Sequence, residues 1–334
     1  MFRGDRALPF YQIYPSMRDM RKPKVDGIVA WLVCLVVRLI FMLMQMFPIE
    51  WNLRTARMLV WFWVRFMPRH LERAEQHLRA AMPSMKDPAR CRAVARASLE
   101  SAAMMAVEVA CMPRLINAFT WSDRFRMRDF DEALRIMSEA GGAIMVTGHY
   151  GPFELVGHVI AALGFDMVAV MRPFDNVFLN RYLVQSRRRN GLDLLDKKGA
   201  MQSAEDVLNR GALLAFIADQ DAGRKGLFVD FFGRPASTYK SIALLAMESR
   251  KPVIVGYCRR VSLAARYEIG IERIIRPEEW EAEPDPLRWI TQRYTESIEA
   301  FVREEPAQYL WIHRRWKSEP GKKRKRRDKQ AVGG

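Results

Sequence analysis

The stretch that decides the fold is Ala143-Ile144-Met145-Val146-Thr147-Gly148-His149-Tyr150-Gly151-Pro152-Phe153-Glu154. It starts with an uninterrupted apolar run, glycines then stand close to His149 on both sides, and a helical pattern begins after Pro152. This order predicts a buried strand, a tight loop and the start of a helix. It places the imidazole of His149 at the carboxyl end of a strand, where open α/β sheets form their ligand crevices.

Glu154 is the candidate partner of this imidazole. It falls in the first turn of the predicted helix, from which its carboxylate can fold back toward the ring of His149. A carboxylate that is hydrogen-bonded to one ring nitrogen fixes the tautomer and leaves the other nitrogen free to act as a base. A single histidine beside glycine is also a common turn residue, so a catalytic interpretation needs support from the rest of the chain.

Strands and helices alternate on both sides of this stretch. Besides the strand that leads to His149, strands are predicted over 166–171, 192–195, 212–218, 228–232, 253–258 and 267–271. Helices are predicted over 129–139, 153–163, 175–190, 200–210, 238–249 and 289–304. Such alternation predicts an α/β fold with a mostly parallel central sheet flanked by helices. Neither GxGxxG nor GxxxxGK[ST] occurs where a nucleotide site would need it, so nucleotide binding has no support.

Polar side chains follow three of the predicted strands. Because the carboxyl ends of parallel strands lie at one edge of a sheet, these side chains are expected to share a site. Arg172 is the candidate group for binding an oxyanion or a phosphate. The candidates for substrate binding are Asn176, Asp219 and Gln220, and for Asp219 a purely structural role is an equal alternative.

No cofactor and no metal are assigned to this site. One competing hypothesis does use a metal, because Glu154 and His158 are four residues apart on a predicted helix and could converge with His149 on an ion. His158, however, lies within an apolar helix, which favours a packing role.

The charge balance points to an anionic partner. The 334 residues include 54 Lys and Arg against 38 Asp and Glu, and the net charge is +16. Residues 322–329 carry +6 of this, which leaves +10 on the rest of the chain. Nucleic acid, an anionic membrane surface and an acidic protein all suit such a balance. The four cysteines form no CxxC motif and are expected to be reduced.

Two apolar segments near the amino terminus favour a membrane. Residues 28–47 are apolar except for Arg38 and Gln45. A helix of this length spans about 30 Å, the thickness of the hydrocarbon layer. An arginine at the bilayer centre costs about 2.5–3.5 kcal/mol, so Arg38 argues against a simple crossing. Whether the segment spans the bilayer or lies in it is therefore left open.

The second apolar segment covers residues 53–67. Its arginines at positions 54, 57 and 65 fall within about 80° of the helix circumference, apart from most of its aromatic residues. That pattern is typical of an interfacial helix, although core helices of a soluble protein remain an alternative. The predicted organisation is a basic segment over 1–27, membrane-associated helices over 28–70, a catalytic domain over 71–317 and a polybasic disordered tail over 318–334.

Four blocks of sequence resemble those of the bacterial lipid A biosynthesis acyltransferases, within the lysophospholipid acyltransferase-like superfamily. The residues that carry the resemblance are the HxxxxE motif from His149 to Glu154, Arg172-Pro173-x-x-Asn176, Asp219-Gln220 followed by Gly226–Thr238, and Tyr309–Trp316. The resemblance covers most of the chain, and the four blocks occur in the order and at the separations of that family.

The resemblance implies a glycerol-3-phosphate acyltransferase-like fold and transfer of a fatty acyl chain from an acyl carrier protein (or CoA) thioester. The acceptor would be a hydroxyl of a lipid A precursor or a related glycolipid. His149 would act as general base, with Glu154 orienting it and Arg172 stabilising the oxyanion. It further implies attachment to the inner membrane with the catalytic domain facing the cytoplasm.

Three other functions remain as alternatives. The acceptor could be another lipid, such as a phosphatidylinositol mannoside-like lipid or an aminolipid. The same dyad could instead hydrolyse the thioester, or the chain could be a membrane-tethered, non-enzymatic polyanion binder. Nucleic acid is not among the predicted partners. Near the carboxyl end, His313 is expected to pack, and Arg314 and Arg315 are expected to reach anionic headgroups.

Overall fold

The computed structural model describes residues 25–117, 120–139, 141–196 and 200–321. The predictions for the basic segment 1–27 and for the tail 318–334 fall almost entirely outside these residues.

The described residues form twelve α-helices and nine strands. The helices are α1 (Gly27–Met46), α2 (Ile49–Phe66), α3 (Pro68–Ala81), α4 (Pro88–Leu115), α5 (Trp121–Arg124), α6 (Asp131–Glu139), α7 (Glu154–Ala162), α8 (Val177–Arg189), α9 (Ala200–Asn209), α10 (Ser241–Ser249), α11 (Pro277–Glu281) and α12 (Pro286–Glu304). The strands are β1 (Phe125–Arg128), β2 (Ala143–Thr147), β3 (Met167–Met171), β4 (Leu192–Asp196), β5 (Leu213–Ile217), β6 (Leu227–Phe231), β7 (Arg234–Thr238), β8 (Val253–Ser262) and β9 (Arg266–Ile275).

Seven strands form the central sheet, in the order β1-β9-β8-β2-β5-β3-β4. All neighbours pair in parallel except β8 and β9, which form an antiparallel hairpin. The predicted α/β fold with a mostly parallel sheet is therefore confirmed. The sequence patterns missed β1 and β7, because FRMR and RPAST are short and carry no apolar run. Strand β7 pairs with β6 in a separate hairpin.

Strand β2 lies in the middle of the sheet, and its first four residues are buried. Ile144 and Val146 belong to one apolar cluster, which includes residues of α9, α10 and α12. Ala143 and Met145 belong to a second cluster, which includes residues of α6, α7 and α2. A strand that is covered on both faces needs apolar residues at every position, which explains the uninterrupted run in the sequence.

The first two helices differ in how they pack. Helix α2 buries Leu53 and three neighbours along one stripe against the core, whereas α1 buries only Ala30 and Cys34. Among the described helices, α1 is the one long and apolar enough to cross a membrane by length and composition. All four cysteines are buried and free of disulfide bonds, as expected.

A buried ion pair joins the long helix α4 to the sheet. The guanidinium of Arg260 on β8 donates two hydrogen bonds of 2.6 Å to the carboxylate of Glu108, whose side chain is fully buried. The hydroxyl of Ser101 lies 3.3 Å from the same guanidinium. Two parallel charge-assisted hydrogen bonds fix the angle between the two groups, so this pair sets how α4 meets β8.

We expect Glu108→Gln to lower the free energy of unfolding by about 3–5 kcal/mol, because it leaves the Arg260 charge buried without a counter-ion. Urea denaturation of the detergent-solubilised protein measures this loss. Glu139→Gln is the matched control, since its partner Arg135 and Glu139 itself are both largely exposed. Exposed pairs of this kind contribute about 0.2–1 kcal/mol. Equal losses in the two variants would contradict the structural role of the buried pair.

Candidate active site

The imidazole of His149 pairs with the carboxylate of Asp219. His149 follows β2 by two residues and Asp219 follows β5 by two residues. These strands are parallel neighbours in which Thr147 is paired with Ile217, so both functional residues leave the sheet at the same level. Asp219 Oδ1 lies 2.6 Å from His149 Nδ1, and its Oδ2 accepts a 2.9 Å hydrogen bond from the His149 backbone N–H.

This pairing decides which nitrogen of His149 is available for chemistry. Burial opposes ionisation of Asp219, but the hydrogen bonds and the charge of the adjacent imidazole outweigh it and hold the pKa of Asp219 well below its usual range. An ionised Asp219 accepts the proton of Nδ1, so in the neutral imidazole the lone pair lies on Nε2. The side-chain amide nitrogen of Gln220 lies 3.3 Å from that Nε2.

The loop that carries His149 is fixed by a segment near the end of the described chain. The N–H of Leu310 donates to the carbonyl of His149 at 3.0 Å, and the N–H of Gly151 donates to the carbonyl of Gln308 at 2.9 Å. Gly151 has a φ of +51°, and a Cβ there would lie 2.2 Å from the carbonyl oxygen of Cys258. Only glycine fits this position, because it lacks a Cβ and tolerates positive φ.

Two aromatic rings enclose the imidazole of His149. The ring of Phe153 lies 5.1 Å and the ring of His313 lies 4.5 Å from it, both edge-on. Burial and the neighbouring His149 lower the pKa of His313 to about 4, so His313 is neutral at physiological pH. His313, which was expected only to pack, thus contacts the reactive ring directly.

Arg315 does not reach a headgroup, in contrast to the prediction. Its side chain is buried, and its guanidinium donates to the carbonyls of Gln220 and Ser237 and to the hydroxyl of Thr238. It therefore ties the loop of Asp219 and Gln220 to the β6–β7 hairpin. Arg314, in contrast, is exposed, and its predicted contact with headgroups stays a prediction.

The expected hydrogen bond between Glu154 and His149 is replaced by a different ion pair. Glu154 is the first residue of α7, and its Oε2 accepts from Arg187 of α8 at 2.7 and 3.2 Å. The Arg187 side chain is only 9% exposed. Since Asp219 lies against Nδ1 and Glu154 against Arg187, the predicted contact between Glu154 and the imidazole is not formed, and Asp219 takes the position expected for Glu154. No motif signalled Arg187, which lies 33 residues after its partner.

Asn176 also differs from its predicted role. Its side-chain oxygen accepts from the N–H of Leu179 and caps α8, and its amide nitrogen donates to the carbonyl of Ala30 on α1. The oxygen and the nitrogen of this amide therefore both form hydrogen bonds within the protein, which argues against a role in binding substrate. Arg172, by contrast, has a side chain that is 62% exposed and lies 3.5 Å from Asp175.

The three residues of the metal hypothesis do not converge. His158 is buried, its Nδ1 lies 3.4 Å from the carbonyl of Asn190, and burial lowers its pKa to about 4. Glu154 is paired with Arg187 and His149 with Asp219. Within the described ranges, no three His, Cys, Asp or Glu side chains are grouped as metal ligands.

An apolar cavity is lined in part by Phe153, whose ring lies 5.1 Å from the imidazole of His149. It encloses about 970 Å³ of empty space, mouth included, between the sheet and the helices α7 and α8. Thr147 and Phe153 line it next to the imidazole, and the ion pair of Glu154 and Arg187 supplies its charged groups. The rest of the wall is almost entirely apolar, and includes Val156, Ile160, Ala169, Met171, Phe174, Leu194, Ala215, Phe216 and Ile271.

The chain is similar to known bacterial proteins over most of its length. Residues 18–318 match the family described as bacterial lipid A biosynthesis acyltransferase. A "Lipid A biosynthesis acyltransferase" of Haemophilus influenzae is 27% identical over 75% of this chain and 78% of its own length. Two Escherichia coli proteins, a "Lipid A biosynthesis palmitoleoyltransferase" and a "Lipid A biosynthesis lauroyltransferase", are 26% and 25% identical. They match over 76% and 87% of this chain and 81% and 92% of their own lengths, respectively.

The family match covers most of the chain and confirms the resemblance of the four motif blocks. Together with the apolar helix α1, it is consistent with association with a membrane. This chain therefore belongs to the bacterial lipid A biosynthesis acyltransferase family, and it is an acyltransferase.

Proposed function

We propose that this protein transfers a fatty acyl chain from an acyl carrier protein (or CoA) thioester to a hydroxyl of a lipid A precursor. It would do so at the inner membrane, with its catalytic domain on the cytoplasmic side. The observation that carries the proposal is the pairing of His149 with Asp219 next to Phe153, which lines an apolar cavity. A general base beside an apolar cavity suits a reaction in which an alcohol attacks a fatty acyl thioester.

The cavity supports an acyl chain as the transferred group. Its wall is predominantly apolar with a small number of polar groups, which is the composition typical of small-molecule sites. The charged groups in its wall, Glu154 and Arg187, form an ion pair with each other. An alkyl chain can therefore fill the rest of the cavity without leaving a buried charge unpaired. Burial of each methylene contributes about 0.8 kcal/mol, which gives a long chain ample binding energy.

In the proposed reaction, His149 Nε2 accepts the proton of the acceptor hydroxyl while the oxygen attacks the thioester carbonyl carbon. Asp219 stabilises the imidazolium that forms. The tetrahedral intermediate then expels the thiolate, which takes the proton back from Nε2, so that an ester and a free thiol leave the site. Gln220 must give up its place beside Nε2 to the acceptor hydroxyl, and its amide is then close enough to hydrogen-bond the reacting groups.

The oxyanion of the intermediate needs hydrogen-bond donors, each worth about 2.7–4 kcal/mol. Arg172 stays a candidate, because its side chain is exposed and could change rotamer to contact a bound oxyanion or phosphate. The backbone N–H groups of His149, Tyr150 and Gly151 already donate to Asp219, Gly148 and Gln308, so the amide of Gln220 is the further candidate. Glu154 is proposed to serve catalysis through Arg187, by holding a polar anchor in the cavity wall where the thioester end of the chain would lie.

The choice of donor and acceptor rests on two supports. Relatives named for lipid A biosynthesis point to a lipid A precursor as acceptor. The net charge of +16 suits an acidic carrier protein as donor. Incubating the purified protein with acyl carrier protein and CoA thioesters and a lipid A precursor, followed by mass analysis, tests both. Release of free fatty acid without an acylated lipid would favour hydrolysis instead.

We expect His149→Ala and Asp219→Asn each to lower kcat by about 10²–10⁴-fold, since one removes the base and the other removes the group that fixes its tautomer. The double variant should be no slower than His149→Ala, because Asp219 acts through His149. Single-turnover transfer of a radiolabelled acyl chain measures these rates. Near-normal turnover by Asp219→Asn would contradict the assignment.

Glu154 should behave differently, because its described partner is Arg187 and not His149. We expect the losses caused by Glu154→Gln and Asp219→Asn to multiply in the double variant, as they do for groups that act independently. If the double variant is no slower than the slower single variant, Glu154 acts through the imidazole after all.

Ala169→Phe and Ala215→Phe should shift the preference toward shorter acyl chains, because both residues line the cavity. Competition between acyl donors of graded length measures the shift. Ala162→Phe is the control, since Ala162 is exposed at the end of α7. Overpacking costs about 1–3 kcal/mol, so thermal melting must show that the variants fold. An unchanged length preference in folded variants would mean that the chain binds elsewhere.

A further inference from the structure

We infer that helix α1 does not cross the bilayer but lies flat along its surface, with one face docked on the catalytic domain and the other in lipid. The inference rests on the membrane association in the proposed function and goes beyond it, because length and hydropathy alone would allow α1 to span. It follows from where α1 is attached to the domain.

The start of α1 is held by the loop that precedes α8. The N–H of Val25 donates to the carbonyl of Asp175 at 3.1 Å, and the N–H of Val177 donates to the carbonyl of Val25 at 3.2 Å. The side chain of Asn176 donates to the carbonyl of Ala30 at 2.9 Å.

The middle and the end of α1 are held as well. Both Arg38 and Phe41 contact the ring of Tyr182 on α8, at 5.4 and 6.1 Å from its centre. At the end of α1, Arg114 of α4 donates to the carbonyls of Gln45 and Phe47 at 2.7 and 2.8 Å. The attachment therefore extends along the entire helix, about 30 Å.

If α1 crossed the bilayer, the elements packed against it, including α8, would have to enter the bilayer as well. The middle of α8 would lie at the same depth as Arg38, and α8 carries exposed arginines at positions 181, 188 and 189. Exposed guanidinium groups in hydrocarbon are costly, and so is the release of α1 from all of its contacts. A flat α1 avoids both costs, because only its outer face then enters the lipid.

The outer face of α1 is suited to lipid and not to water. Its buried positions form one stripe, and the opposite side is apolar throughout, with exposed Trp31, Leu35, Leu39 and Met42. Helix α2 continues this surface with exposed Trp51, Phe62 and Phe66, while Arg54 and Arg65 stand beside them. Apolar residues beside arginines match the lipid tails and anionic headgroups of one leaflet, so we identify the occupant of this face as a bilayer.

A flat α1 also places the cavity beside the lipid. Phe174 lines the cavity and lies in the loop that holds Val25 and Ala30. The lipid acceptor could then reach His149 from the leaflet in which α1 lies, without leaving the membrane.

The depth of three residues on one stripe of α1 tests the inference. Val29, Val36 and Leu43 are exposed and seven residues apart, so about 10.5 Å separates each from the next along the axis. Each is replaced by cysteine in the full chain and given a fluorophore. The protein is reconstituted in phosphatidylethanolamine–phosphatidylglycerol vesicles that contain shallow or deep lipid quenchers. A flat helix predicts equal depth at all three positions.

A spanning helix predicts a different profile, in which Val36→Cys lies about 10 Å deeper than the other two. That profile would overturn the inference. Absence of quenching at all three positions would overturn it too, by removing lipid contact. Neither result would contradict the proposed acyl transfer, because the transfer activity of the same samples is measured separately.

A sidedness measurement adds a second readout. Asp26→Cys at the start of α1 and Asp123→Cys on α5 are both at exposed positions, and the four native cysteines are buried. We expect a membrane-impermeant maleimide to label both variants from the same side, in inside-out membrane vesicles. Labelling of the two variants from opposite sides would show that α1 crosses the membrane.

Discussion

The hydrogen bond between His149 and Asp219 depends on the register of two parallel strands, and the site is built around it. Because β2 and β5 are neighbours with Thr147 opposite Ile217, the residue two positions past each strand meets the other across the sheet edge. Because the carboxyl ends of neighbouring parallel strands lie at the same edge of the sheet, two residues 70 positions apart in the chain come into contact there. The carboxylate stays ionised despite complete burial, since the imidazole and a backbone N–H compensate its lost hydration.

Much of the remaining structure keeps this pair in place. The backbone of Gln308 and Leu310 is hydrogen-bonded to the His149 loop, and the guanidinium of Arg315 donates to the carbonyl of Gln220 in the loop of Asp219. These contacts explain why a motif near the carboxyl end belongs with a histidine 160 residues earlier. The Glu154–Arg187 pair plays a corresponding part for the cavity, where it joins α7 to α8 across an otherwise apolar wall. The candidate site and the apolar cavity thus share the loop that follows Thr147.

Helices α1 and α2, which we propose face the membrane, are joined to this framework by contacts along their length. Helix α2 buries one stripe in the core, and α1 is attached at its start, middle and end. Asn176 caps α8 and holds α1 at once, and its loop contributes a residue to the cavity wall. The position of α1 and the shape of the apolar cavity are therefore linked through a few residues, which would suit the proposed transfer to a lipid acceptor.

Local sequence patterns were enough to establish the fold class and the order of the main strands and helices, and they singled out His149 as the candidate base. Apolar runs, glycines and strand-to-helix alternation are local signals, and each is visible within about ten residues. The same patterns also placed Asp219 and Gln220 at the site. The partner of the imidazole was decided only by the tertiary structure, because strand order and register do not show in local periodicity. For the same reason, the pairing of Glu154 with Arg187, the burial of Arg315 and the attachment of α1 became visible only once distant elements were packed together.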